Sequence, residues 1–211
     1  MISKRRLLEK SRLYVILDSG VALNKSVLSL AKELNKAGAN IIQLRDKTAT
    51  KKAVLKKALS LNKFLKNTST IFIVNDYADI AKASGSDGLH IGQNDIPIKI
   101  ARTILGKKKL IGVSCASLKQ ALKAQEEGAD YIGVGPVFKT KTKTDAAPIG
   151  KELLKIISAK IKIPIFAIGN INQSNLKLIK ENNIDRVAVC SAILNSKDID
   201  KTIKYFLKEL E

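Results

Sequence analysis

Gly38-Ala39-Asn40-Ile41-Ile42-Gln43-Leu44-Arg45-Asp46-Lys47 holds a helix stop, a buried strand and a strand end that turns polar. Glycine just past a lysine-rich helical run takes the backbone conformation that ends a helix. The aliphatic pair that follows starts a strand, in which side chains alternate faces, so Gln43, Arg45 and Lys47 project to one side. A flat guanidinium fork and an ammonium on one face suit a phosphate or diphosphate and have no place in an apolar core. On this stretch alone a second reading stays open, a strand that simply runs out into solvent.

Working outward, the same punctuation recurs. Gly85-Ser86-Asp87-Gly88-Leu89, Gly128-Ala129-Asp130-Tyr131-Ile132 and the looser Asn183-Ile184-Asp185-Arg186-Val187 each close a helical run and enter a β-branched or aliphatic one. Strands are expected at 13–18, 41–45, 71–75, 88–91, 110–114, 131–134, 165–168 and 186–190. Helices are expected at 25–37, 50–66, a short run ending near 84, a run starting at Pro97, 117–127, 150–159, 173–182 and 198–210. Alternating strands and helices imply a parallel sheet. A repeating piece of two β/α units, taken four times, makes an α/β protein with a single (β/α)8 TIM barrel as one domain over 1–211. The competing open doubly wound sheet would carry a glycine-rich dinucleotide fingerprint after the first strand, and none is there.

Composition agrees with this reading. The chain has 211 residues, 45% hydrophobic and 27% charged, with 4% aromatic and no Trp, which suits aliphatic packing of helices on a sheet. Its formal charge of +19 would ordinarily suggest nucleic acid or a membrane surface. The lysines are scattered over nearly every helical segment, however, with few aromatics to stack bases and no nucleic-acid motif. The expectation is a field that favours an anionic small substrate, with no nucleic acid and no membrane as partner and a homo-oligomer left open. Cys115 and Cys190 lack metal-ligand spacing, and the basic start at 1–12 lacks an apolar run behind it, so a cytoplasmic location is expected.

In such a barrel the C-terminal strand ends form the site. Those ends supply Asp18; Gln43, Arg45 and Lys47; Asn75 and Asp76; His90, Gln93 and Asp95; Ser114; Thr140, Thr142 and Lys143; Gly169 and Asn170; and Cys190 and Ser191. Asp76 and Asp95, from neighbouring strand ends beside two cations, are read together as Mg2+ ligands, since Mg2+ uses one or two carboxylates plus substrate oxygens. Each could instead cap the helix that follows it. The run 139–145 alternates hydroxyls and ammoniums and reads either as an anion-binding loop or as a solvated lysine-rich loop. His90, the lone histidine, is read as holding a neighbouring loop more than shuttling protons.

With these residues in order the chain resembles the thiamine-phosphate synthase family over nearly its whole length. The matching stretches are Gln43-Leu44-Arg45-Asp46-Lys47, Val74-Asn75-Asp76, residues 87–95, Ile111-Gly112-Val113-Ser114, 135–143 and Val189-Cys190-Ser191-Ala192-Ile193. The resemblance implies a Mg2+-dependent transferase that joins 4-amino-2-methyl-5-pyrimidinylmethyl diphosphate to a thiazole phosphate and releases diphosphate. It implies Arg45, Lys47, Ser114 and Lys143 as the catalytic set, and Gln43, Leu44, Asp46 and Asn75 with them in binding the pyrimidine diphosphate. Asp76 and Asp95 would hold the metal. Thr140, Lys141, Thr142, Gly169, Asn170, Cys190 and Ser191 would receive the thiazole phosphate.

The chain departs from the family pattern at three positions. Asn170 replaces a second glycine, Lys139 a proline, and Ala116 a frequent histidine. Asparagine tolerates left-handed backbone better than most residues, so the turn at 169–170 is expected to survive. The missing histidine separates the chain from the related thiazole tautomerases, which rely on it. A basic, non-catalytic barrel binding nucleic acid is the rival of another class, and it would bind with a steep salt dependence and no need for Asp76 or Asp95.

Overall fold

Helices begin where a short oxygen side chain precedes an amphipathic run. Ser26, Thr50, Ser117 and Asp198 each accept a hydrogen bond from the backbone N–H three residues on, at 3.1, 3.3, 3.2 and 2.9 Å. In the computed structural model, which describes residues 3–22, 25–140 and 147–211, these starts alternate with eight short parallel strands. The order is α1 (Lys4–Lys10), β1 (Leu13–Asp18), α2 (Val27–Lys36), β2 (Ile41–Arg45), α3 (Lys51–Leu65), β3 (Ile71–Asn75), α4 (Ala78–Ser84), β4 (Gly88–Ile91) and α5 (Ile98–Leu105). It continues with β5 (Leu110–Cys115), α6 (Leu118–Glu126), β6 (Tyr131–Val134), α7 (Gly150–Lys160), β7 (Ile165–Ile168), α8 (Leu176–Lys180), β8 (Val187–Val189), α9 (Ser191–Leu194) and α10 (Ile199–Glu209). The strands pair in sequence order, and β8 returns to β1 through Leu13 and Val187, so the sheet is a closed (β/α)8 barrel.

The repeated Gly-x-Asn/Asp has a structural purpose. Asn40 Oδ1 accepts the Leu13 N–H at 3.0 Å, Asp87 Oδ2 the Phe72 N–H at 2.9 Å, and Asp130 Oδ2 the Ile111 N–H at 2.8 Å. Each side chain enters an even strand and satisfies a donor at the bottom of the odd strand before it, which would otherwise lie buried and unpaired. The fourth copy differs: Asp185 pairs with Arg12 at 2.5 Å and Arg186 at 2.7 Å.

Two apolar layers follow from the strand alternation. One face packs Val15, Leu17, Ile42, Leu44, Val74 and Leu89 under the helices, while the other fills the barrel with Tyr14, Ile16, Ile41, Ile73, Tyr131 and Phe166. Because parallel strands are apolar on both faces, this inward set carries little signal in the sequence.

Three segments differ from expectation, the briefest being α9, a four-residue helix directly after β8. The basic start is a capped helix, α1, whose Leu8 is 3% exposed and closes the bottom of the barrel interior. Two of its four cations pair with the repeat aspartates, Lys4 with Asp87 at 3.1 Å and Arg5 with Asp130 at 2.8 Å. Helix α8 is shorter than the expected 173–182, because Asn172 and Asn175 bond nearby backbone N–H groups and hold the preceding turns out of the helix. Among the described residues no helix is long and apolar enough to cross a membrane.

Candidate active site

Inward side chains of the lower strands leave off before the C-terminal mouth, and a cavity of about 240 Å3 opens there. Tyr14, Ile16, Phe166 and Ile168 give it an apolar floor and wall, and polar strand ends line the rest. Gln43, Arg45 and Lys47 all face it, as their alternation along β2 requires. Asn75, Asp76, Asp95, Ser114, Thr140, Gly169, Asn170, Cys190 and Ser191 face it as well.

The cations are already matched to carboxylates. Arg45 forms an ion pair with Asp18, whose side chain is 7% exposed and whose other oxygen accepts the Gly20 N–H at 2.8 Å. Lys47 pairs with Asp76, which sits at φ 63°, a left-handed conformation that turns its carboxylate back toward the mouth. Asp95 Oδ2 accepts the Gly92 N–H at 2.6 Å. The helix-cap alternative fails for both residues. Helix α4 starts after Tyr77 and α5 after Pro97, and neither cap makes a side-chain bond.

After β7 the chain turns through Gly169 at φ 112° and Asn170 at φ 51°. A Cβ on residue 169 would lie 2.6 Å from Pro136 Cα, so glycine is required there by space as well as conformation. Asn170 adopts the left-handed backbone, and its carbonyl accepts from Asn175 Nδ2 at 3.0 Å and Asn172 Nδ2 at 3.3 Å. Cys190 is half-buried; burial, and then the Asp18 carboxylate, push its thiol up to about 12 against the pull of Arg45. It therefore lines the cavity as a neutral thiol.

Two residues expected in the substrate site lie elsewhere. Leu44 is 1% exposed between the sheet and the helices. Asp46 also turns away from the cavity, pairs with Lys57 at 2.5 Å, and accepts the Ala49 and Thr48 N–H groups at 3.0 and 3.2 Å. Strand alternation, which brings Gln43, Arg45 and Lys47 together, sends the intervening residues to the opposite face. Lys141, Thr142 and Lys143, with residues 141–146, lie outside the described residues.

Burial alone would raise the Asp46 pKa, but Lys57, the Ser19 hydroxyl and the two N–H groups outweigh it and hold the carboxyl well below its usual range. A carboxyl depressed on folding adds stability above its unfolded pKa and loses it as pH falls. Asp46→Asn is therefore expected to cost about 1–3 kcal/mol at neutral pH. Urea titration from pH 7 to 3 checks this, and the variant should show a shallower loss of stability below about pH 4 than the parent.

Tyr14 and Phe166 were not anticipated, and His90 on β4 reaches two other strands of the barrel. Its Nδ1 meets the Tyr131 hydroxyl at 3.2 Å and its Nε2 the Ser114 hydroxyl at 2.9 Å, inside the barrel. The available signal was the two-residue spacing of Tyr14, Ile16 and Asp18, which puts them on one face.

A closed barrel with cations, carboxylates and a glycine turn at its C-terminal mouth defines an enzyme scaffold of the (β/α)8 class, with its site where that class keeps it. The thiamine monophosphate synthase family profile matches residues 13–193, and the chain belongs to that family of transferases. It is 42% identical over 189 residues to a thiamine-phosphate synthase of Syntrophomonas wolfei, covering 89% of this chain and 90% of that one. A Prochlorococcus marinus protein of the same name is 41% identical over 204 residues; these cover 97% of this chain but only 57% of the longer relative. The solved thiamine phosphate pyrophosphorylase of Pyrococcus furiosus superposes with a TM-score of 0.87 at 35% identity, over 98% of this chain and 96% of that one.

Proposed function

We infer that the chain is a thiamine-phosphate synthase that joins 4-amino-2-methyl-5-pyrimidinylmethyl diphosphate to a thiazole phosphate, releasing diphosphate. The observation that carries this reading is the convergence of Arg45, Lys47, Asp76 and Asp95 on the mouth of one cavity with an aromatic floor. That arrangement fits a planar ring held below a diphosphate.

The electron pair of the breaking C–O bond leaves on the diphosphate oxygen, and the thiazole nitrogen lone pair forms the new C–N bond to the pyrimidine methylene. No proton is removed in this step, so no general base is needed, and the neutral Cys190 thiol suits a site without a protein nucleophile. Arg45 and Lys47 hold the departing diphosphate and favour the charge that grows on it. Tyr14, Ile16, Phe166 and Ile168 exclude water, so the electron-poor methylene meets the thiazole nitrogen first. The turn at Gly169 and Asn170 and the groups at Cys190 and Ser191 follow β7 and β8, where barrels frequently cradle a phosphate, and they receive the thiazole phosphate.

Asp76 and Asp95 fit Mg2+. They offer hard oxygen donors on consecutive strand ends, and among the described residues no group of three or more His, Cys, Asp or Glu forms an all-protein cage. Two carboxylates completed by phosphate oxygens and water is the way this ion is usually held. When bound, Mg2+ would neutralise charge on the leaving diphosphate.

Incubating purified protein with both substrates and Mg2+ is expected to yield thiamine phosphate and diphosphate by chromatography. Absence of product with folded protein would overturn the reading.

A further inference from the structure

Five polar groups from five strands meet end to end, four of them lining the cavity and the fifth, Tyr131, buried behind them. Gln43 Nε2 on β2 donates to the Tyr14 hydroxyl on β1 at 2.8 Å, and that hydroxyl lies 3.0 Å from the Tyr131 hydroxyl on β6. The Tyr131 hydroxyl is 3.2 Å from His90 Nδ1 on β4, and His90 Nε2 is 2.9 Å from Ser114 Oγ on β5. Gln43, Tyr14 and Tyr131 are 3%, 2% and 0% exposed, and Tyr131, which does not line the cavity, finds its partners within the chain.

We propose that these groups form one polarised hydrogen-bond chain, and that Tyr131, at its centre, is a positioning residue that makes the Ser114 hydroxyl a donor toward the substrate. The direction follows from counting protons. A phenol has one proton to give, and a neutral imidazole has one N–H and one bare nitrogen. Tyr14 accepts from Gln43 and so gives its own proton to Tyr131. Tyr131 in turn gives its proton to His90 Nδ1. His90 then carries its proton on Nε2 and gives it to Ser114 Oγ, which leaves the Ser114 proton to point into the cavity that Ser114 lines. With the opposite direction, the Tyr14 proton would face two donors. Gln43 meanwhile turns its carbonyl oxygen away from Tyr14, so the chain links one acceptor on β2 to one donor on β5.

The surroundings are built for this chain. Gly112 makes room for Tyr131, since a Cβ there would lie 2.0 Å from the ring's Cζ. Phe166 packs edge-on against Tyr14 and Tyr131, with ring centroids 5.4 and 5.7 Å apart. Burial raises the pKa of both phenols above their ordinary value, for Tyr131 with help from Tyr14, so both keep the proton that the chain needs.

The substrate end of this inference rests on the proposed function, whereas the direction of the chain does not. His90 is the single histidine, so a long-range 1H–15N spectrum of the ligand-free protein reads its tautomer without ambiguity. The Nε2–H tautomer is expected, and the Nδ1–H tautomer would overturn the direction. Tyr131→Phe keeps the ring and removes the link. It is expected to give a mixture of tautomers and a fall of about tenfold in kcat/KM for the pyrimidine diphosphate, with kcat/KM for the thiazole phosphate changed less than about twofold. Added to Ser114→Ala, it should cause no further loss, because its effect passes through that hydroxyl. Tyr14→Phe breaks the chain one link earlier and should shift the tautomer in the same way. An unchanged tautomer in both tyrosine variants, or fully additive losses with Ser114→Ala, would overturn the proposal. If the parent protein made no thiamine phosphate, the proposed function would fall while the tautomer spectra still decided the direction of the chain.

Discussion

Arg45→Ala is expected to lower kcat/KM for the pyrimidine diphosphate by about a hundredfold or more, while changing that for the thiazole phosphate by less than about fivefold. The variant removes a fork of donors from the cavity, and it also strips Asp18 of its ion-pair partner. That carboxylate is 7% exposed and held in place by Gly20, so it would face the diphosphate as a bare negative charge. Both changes act on the same substrate. Arg45→Lys restores the charge without the fork and should recover only part of the loss. Steady-state kinetics with each substrate varied in turn are the check, and equal losses for the two substrates would contradict the assignment of this wall.

The second large effect is expected at Asp95. Asp95→Asn keeps an oxygen that can accept the Gly92 N–H, so the turn at 92–95 stays in place while the negative charge is lost. Activity should fall about a thousandfold, the size of effect that several kcal/mol of charge stabilisation implies. Circular dichroism and the thermal midpoint should stay close to those of the parent. Near-parental activity, or full turnover of the parent protein in excess chelator, would remove Asp95 from any metal role. Asp76 is a less clean probe, because its partner Lys47 is itself expected to touch the diphosphate.

Most of the barrel was legible in the sequence because its punctuation is physical. Gly38, Gly85 and Gly128 take the left-handed conformation at φ 97°, 75° and 87°, and the residue two positions on from each bonds the neighbouring strand. Two of the missed features show why such a marker matters. Helix α1 is short and basic and looks like a tail until its lysine and arginine are seen to answer Asp87 and Asp130 across the bottom of the barrel. Helix α8 loses its first turn to asparagine side chains that compete for the backbone.

At the site, every second residue of β2 was read in its observed place, and the intervening Leu44 and Asp46 were not. Family motifs are contiguous in sequence, whereas a strand sends adjacent side chains to opposite faces. Asp46 keeps the loop after Lys47 in position without entering the cavity. Tyr131 illustrates the reverse difficulty. It sits among apolar residues in a buried strand and looks like ordinary core until the other strands bring Tyr14 and His90 to its hydroxyl.

The backbone bonds made by Asn40, Asp87 and Asp130 also govern how accurately the mouth can be placed. Each one clamps a strand near its foot, and the groups that line the cavity stand only a few residues above the clamp, a span of about 10–17 Å at the usual rise of a strand. Over so short an arm a stiff strand transmits little angular error. Asn75 and Ser114 thus inherit their positions from the foot of the barrel, and the loops above can vary in length and composition without disturbing the aim of either side chain.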